Sequence, residues 1–321
     1  MKKTLIALAA VAATGAAFAQ SSVTLYGVAD ASIVKTTGKS TMMSSAGTMN
    51  NGTSRWGVRG SEDLGGGMKA GFNFEQGLSL TTGDVAKAGG GEFGRAAFMT
   101  LSGGFGELRL GRTLNPSFYS VAAWELSGTA NYSVVMNQFG GTTAGVRNSS
   151  QIAYTTPDMG GFSATMGYIL KGNNTVGAVA ANPATGAAAV PGVQAAKVDL
   201  NVIYKNGPVA VALGYNKTSG DEKNIAVGVN YNLGPVVLAG SIFDPKGDSK
   251  GFTLGAGMQA GPVNLVLDVA RDTHFKDTDI LVEAKYPLSK RTFAYAAFLR
   301  DGKGKAATNV NDVGLGIRHN F

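Results

Sequence analysis

Seven basic residues in the first half of the chain are spaced so that they gather fixed positive charge on one surface. Arg55 and Arg59 share a face with Gly57, while Trp56 and Val58 take the other. Lys69 falls opposite Ala70 and Phe72, and Arg109 alternates between Leu108 and Leu110. Arg95 lies on the preceding strand, Arg112 ends its strand as a long connection begins, and Arg147 opens the strand after it. That connection, 113–146, carries one carboxylate, Glu125. Such a set does electrostatic rather than covalent chemistry. A charge pair about 4 Å apart is worth roughly 1 kcal/mol in water and about 4 at an intermediate dielectric. A difference of about 1.4 kcal/mol is a tenfold population ratio, so a few arginines in a narrow passage favour anions over cations. Arg55, Arg59, Lys69, Arg95, Arg109, Arg112, Glu125 and Arg147 are therefore the expected lining of a constriction.

Other chemistry is poorly supplied. The chain has 2 histidines and no cysteine. His274 sits in a short loop and His319 on the outer face of the last strand, too far apart to hold a metal or serve a serine triad. The glycine runs are turns rather than phosphate cradles. The formal charge is +7, but the basic residues recur at strand period rather than in a stripe, which argues against nucleic acid. The expectation is a protein without catalytic residues, metal or cofactor.

The elements that hold these charges alternate. Val198, Leu200, Val202 and Tyr204 are interleaved with Asp199, Asn201 and Ile203, and Val209, Val211, Leu213 and Tyr215 with Ala210, Ala212 and Gly214. Period two is the mark of a strand with one apolar face. Gly-Pro-Val recurs at 207–209, 234–236 and 261–263, a step of 27 residues that holds one hairpin. Tyr204, Tyr231 and Tyr286 stand at the turn ends of their strands, as an interfacial aromatic girdle would.

Connections alternate in length. Seven short turns, such as 65–67, 103–104, 158–161 and 207–208, are interleaved with eight long loops at about 35–53, 77–92, 113–146, 172–196, 217–223, 244–250, 271–277 and 301–308. The count predicts sixteen strands with short turns on one rim and long loops on the other. In lipid every backbone group must be paired, so the sheet closes. Charged residues are only 15%, against roughly 25% in soluble domains, as fits an outside that meets hydrocarbon. Sixteen strands enclose water, and the long, mostly uncharged connection 113–146 is the candidate to narrow it. Residues 1–19 read as a signal peptide: Lys2 and Lys3, a short apolar run, then Ala17-Phe18-Ala19 for cleavage. Residues 20–321 then form one transmembrane β-barrel domain.

The segments Ser22-Val23-Thr24-Leu25-Tyr26-Gly27, Ser54-Arg55-Trp56-Gly57-Val58-Arg59-Gly60, Phe105-Gly106-Glu107-Leu108-Arg109-Leu110-Gly111-Arg112, Pro157-Asp158-Met159-Gly160-Gly161-Phe162 and Gly316-Ile317-Arg318-His319-Asn320-Phe321 stand in one order. Together they make the chain resemble the general porins of the Gram-negative outer membrane, of the Burkholderia, Bordetella and Neisseria type. The resemblance implies an all-β, 16-stranded antiparallel transmembrane barrel with short periplasmic turns, long external loops and an inward-folded third loop. It also implies a homotrimer in outer-membrane lipid, passive diffusion of small hydrophilic solutes and ions, and Phe321 as part of the signal read by the barrel-assembly machinery. Family members oppose wall cations with loop carboxylates, and here Glu125 stands alone. Two other readings are a substrate-specific channel and a surface barrel that binds host or phage.

Overall fold

The computed structural model describes residues 22–86, 91–140, 146–177, 189–304 and 308–321. The expected signal peptide lies outside them, as do parts of four long loops. The first eight barrel strands are β1 Ser22–Thr36, β2 Arg55–Gly65, β3 Met68–Leu78, β4 Ala96–Gly103, β5 Gly106–Leu114, β6 Arg147–Thr155, β7 Phe162–Ile169 and β8 Lys197–Asn206. The other eight are β9 Val209–Thr218, β10 Lys223–Asn232, β11 Val236–Asp244, β12 Gly251–Ala260, β13 Val263–Asp272, β14 Asp277–Pro287, β15 Thr292–Asp301 and β16 Val310–Asn320. Short pieces at Met42–Ser44 and Val85–Ala86 join the same sheet, and Thr175–Val176 pairs separately with Val193–Gln194.

Each strand runs antiparallel to its neighbours in chain order, and the sheet closes on itself. β1 pairs through Ser22–Val28 with β2 and through Val28–Thr36 with β16. The amide of Phe321 donates to the Gly27 carbonyl at 3.0 Å and the Gly27 amide returns the bond at 3.0 Å, so the chain's last residue completes the seam. The result is a closed, sixteen-stranded antiparallel barrel, with the rims sorted as the connection lengths predict. Gly207, Gly234 and Gly261, at φ 54°, 96° and 59°, take the left-handed turn positions that a side chain resists.

The outside is apolar. Ile242 is 68% exposed and Leu254 62%, values that belong to a surface facing lipid. Tyr231 and Tyr286 are exposed at the short-turn rim, where the girdle was expected. The buried apolar cluster sits in the lumen: Val121, Trp124, Tyr132, Val134, Val135 and Phe139 of the third loop meet wall residues including Ala212, Ala226, Phe243 and Leu281. No helix of the described residues is long and apolar enough to cross a membrane.

Candidate functional site

The third loop folds into the barrel because both its own sequence and the wall opposite it are built for the contact. Asn115 caps helix α1, Pro116–Ala122, by accepting from the Phe118 amide at 2.8 Å, and Pro116 takes the first turn, where no amide is needed. Lumenal side chains of β8 and β9 then grip the loop. Asp199 accepts from the Ser117 amide at 2.8 Å, Asn201 donates to the Pro116 carbonyl at 2.7 Å, and Asn216 donates to Ser117 Oγ at 3.1 Å.

Trp124 lies flat on the wall at Gly228 of β10. A Cβ there would stand 2.1 Å from the Trp124 ring, so only glycine admits it. Helix α2, Val134–Phe139, is capped by Ser133 and ends on left-handed Gly140. Its Phe139 stacks on Phe243 at 4.6 Å. Burial, with the Glu283 carboxylate beside it, raises the Tyr132 phenol far above its usual range, so it stays neutral where it accepts from Asn51 at 2.8 Å.

The loop leaves a passage against the opposite wall, a section of about 550 Å³. Arg55, Arg95, Arg147 and Arg318 stand on the wall side, and Gly128, Thr129, Asn131 and Asn137 on the loop side. Glu75 of β3 bridges two of the guanidiniums, Arg95 at 2.7 Å and Arg55 at 3.3 Å, and accepts from the Tyr26 hydroxyl at 3.0 Å. Arg147 Nε donates to the Arg95 carbonyl at 2.7 Å, and Arg318 Nη1 donates to Asn51 Oδ1 at 2.8 Å. Four cations stand against two wall carboxylates, Glu75 between Arg55 and Arg95 and the buried Asp30 behind Gly52 near Arg318, and among the described residues lining the loop side there is no acid. The neck therefore carries a net positive charge.

The Gram-negative porin family model matches residues 4–306 of this chain. The chain belongs to that family. Outer membrane porin protein 32 of Delftia acidovorans is 39% identical over 222 residues, which are 67% of this chain and 59% of that protein. An outer membrane porin protein of Bordetella pertussis is 37% identical over 238 residues, 68% of this chain and 60% of that protein. The match thus spans less than two thirds of these relatives' length. Among solved structures, the anion-selective porin from Comamonas acidovorans superposes with a TM-score of 0.73 at 30% identity, covering 94% of this chain and all of that one. A Gram-negative porin with this lipid-facing belt is a multi-pass protein of the outer membrane.

The porin's eight expected lining residues fall into four groups. Arg55, Arg95 and Arg147 meet in the neck. Arg59, Lys69 and Arg109 form a separate set nearer the short-turn rim, where Arg109 pairs with Glu107 at 2.5 Å. Arg112 is not in the lining. Its register partner is Ala97, next but one to Met99, which pairs with Leu110 on the outer face. Unbroken alternation from Leu110 thus carries Arg112 outward, the bulge of the β5–β6 pair lying on β6 at 149–150, and Arg112 donates to the Gly94 carbonyl and to Ser149 Oγ, both at 2.6 Å. Glu125 is buried behind the loop, where it accepts from Ser127 Oγ and from the Thr129 amide at 2.6 Å. It ties a turn and does not face the arginines.

Two neck residues were not anticipated, though parity reaches both. Glu75 shares a face with Lys69 and Asn73, and Arg318 shares one with Gly314 and Gly316. The inward fold of residues 45–54 has no such signal. It hangs on buried Asp30, which accepts from Asn50 Nδ2 and the Gly52 amide at 2.9 Å and from the Tyr295 hydroxyl at 2.6 Å.

Proposed function

We propose that this porin is an open, water-filled pore through which small hydrophilic solutes and ions diffuse passively, with anions favoured. The observation that carries the reading is the unequal neck: four guanidiniums on the wall against two carboxylates, Glu75 and the buried Asp30, and an uncharged loop face. Electrostatics in a wet channel selects by sign rather than by shape, so the pore discriminates charge broadly and no one solute strictly.

The same reading includes a homotrimer in outer-membrane lipid, a mature chain that begins after a cleaved signal peptide at residue 19, and Phe321 as an assembly signal for the barrel-assembly machinery. Support for the last is that Phe321 directly follows the closing strand and makes both seam bonds with Gly27. No catalytic role is part of the proposal. Liposome swelling with the refolded protein tests the pore directly. Small anions and small neutral sugars enter, organic cations of the same size enter more slowly, and equal rates for the two charge signs would remove the selectivity.

A further inference from the structure

We infer that a second anion site, distinct from the neck, lies on the same wall nearer the short-turn rim and takes a tetrahedral dianion such as sulfate or hydrogen phosphate. Its shape follows from the register. Ser22, Ser61, Gly71, Thr100 and Arg109 stand in one row across β1 to β5. Gly71 has no side chain, and the Thr100 hydroxyl leans to 2.7 Å from where its Cβ would stand, so the row is low at its middle and the hollow opens above it. Arg59 and its partner Asn73 border it on the side of the long loops, and Lys69 with its partner Ser102 on the side of the short turns. The hollow has a volume of about 390 Å³.

The register sets the reach. Strands lie about 4.8 Å apart and residues rise about 3.3 Å each, so the backbone positions of all three cations stand within about 10 Å of Gly71. Long side chains converge over that span. Two are held in place by stacking: Arg59 lies over the Tyr26 ring at 5.2 Å and Arg109 over Phe98 at 4.9 Å. Stacking occupies a guanidinium's face and leaves its N–H edge to point at an oxyanion. The Nε of Arg109 is buried without a hydrogen-bond partner. Hydroxyls of Ser61, Ser102 and Thr100 supply further donors to the oxygens.

The charge fits a dianion. Arg59, Lys69 and Arg109 bring three cations, and Glu107, paired to Arg109, removes one. Asp63, the register partner of Lys69, spends a carboxylate oxygen on the Gly65 amide at 2.9 Å and does not line the hollow. The neck lies four residues further along β2, at Arg55, about 13 Å away. An anion leaving the neck therefore meets a second station before the rim, and the site deepens the channel reading, on which it rests for how the anion arrives.

Calorimetric titration of the refolded full-length protein with sodium sulfate at low ionic strength tests it. The wild type should show two sulfate sites per chain. Arg59→Gln/Lys69→Gln should weaken one of them at least tenfold, and Gly71→Leu, which displaces the Thr100 hydroxyl and fills the hollow while removing no charge, should abolish the same one. Arg112→Gln should change neither. Lys69→Gln alone, at an exposed position, keeps the test available should the double variant fail to fold. An isotherm unchanged by Gly71→Leu or by the Lys69 substitutions would overturn the site. Calorimetry needs no open channel, so loss of a sulfate site in these variants upholds the hollow even where a bilayer shows no conductance and the channel reading fails.

Discussion

Replacing Arg147 with glutamine should lower the anion-to-cation permeability ratio about threefold at moderate salt. Arg147 opens β6 in the neck, and its Nε bonds only a carbonyl, that of Arg95 at 2.7 Å. Its removal therefore takes away charge without releasing a carboxylate. For an ion passing about 7 Å away in a dielectric near that of water, one guanidinium contributes about 0.6 kcal/mol. At 0.1 M salt the Debye length is about 10 Å, which halves this to about 0.3 kcal/mol. The anion loses that attraction and the cation is spared the same repulsion, so the ratio changes by about 0.6 kcal/mol, close to a factor of three. At 1 M salt, with a Debye length of about 3 Å, the factor falls to about 1.2. The assay is the zero-current potential across a planar bilayer in a KCl gradient, taken at both ionic strengths. Arg112→Gln is the control, because Arg112 lies on the outer face, outside the lining, and should change the ratio far less. An unchanged ratio in the Arg147 variant, an equal effect from Arg112, or an effect that survives 1 M salt would refute the reasoning.

Three further perturbations follow from the loop and the wall. Gly228→Leu sets a side chain where the Trp124 ring lies, so the third loop is pushed towards the arginines; single-channel conductance should fall and its noise rise. Phe139→Ala removes a buried ring stacked on Phe243 and should cost the loop about 3 kcal/mol of packing, at the low end for such truncations. New protease cleavage within 115–140, with the barrel still resistant to heat on a gel, would show it. Leu254→Arg places a charge on a 62% exposed lipid-facing position and should destabilise the barrel in vesicles by about 2–4 kcal/mol, measured by reversible denaturation.

The barrel was readable because its strands obey period two and its connections alternate in length, and both are local facts. The wall cations were readable for the same reason. Parity alone sets Arg55, Arg59 and Lys69 on the face of Gly57 and Gly71, which is the lumen. Parity also carries Glu75 and Arg318, two residues that complete the neck, but each stands apart from the arginines in sequence and is joined to them only by closure of the sheet. Arg95 precedes β4 and so has no strand phase to read. Arg112 keeps the phase of Leu108 and Leu110, which alternation sets on the outer face; its place at the strand's end, beside the long loop, suggested the lumen instead. Glu125 was legible as the one acid of its loop but not as a buried one. Its partners, Ser127 and Thr129, are so close in sequence that the carboxylate closes a local turn before it can reach the wall.

The most direct test of an unequal neck is the zero-current potential of the unaltered protein across a tenfold KCl gradient at low salt. The account predicts ohmic channels whose potential lies on the chloride side and moves towards zero as both solutions are made more concentrated. A potential on the potassium side, or no steady channels at all, would contradict it.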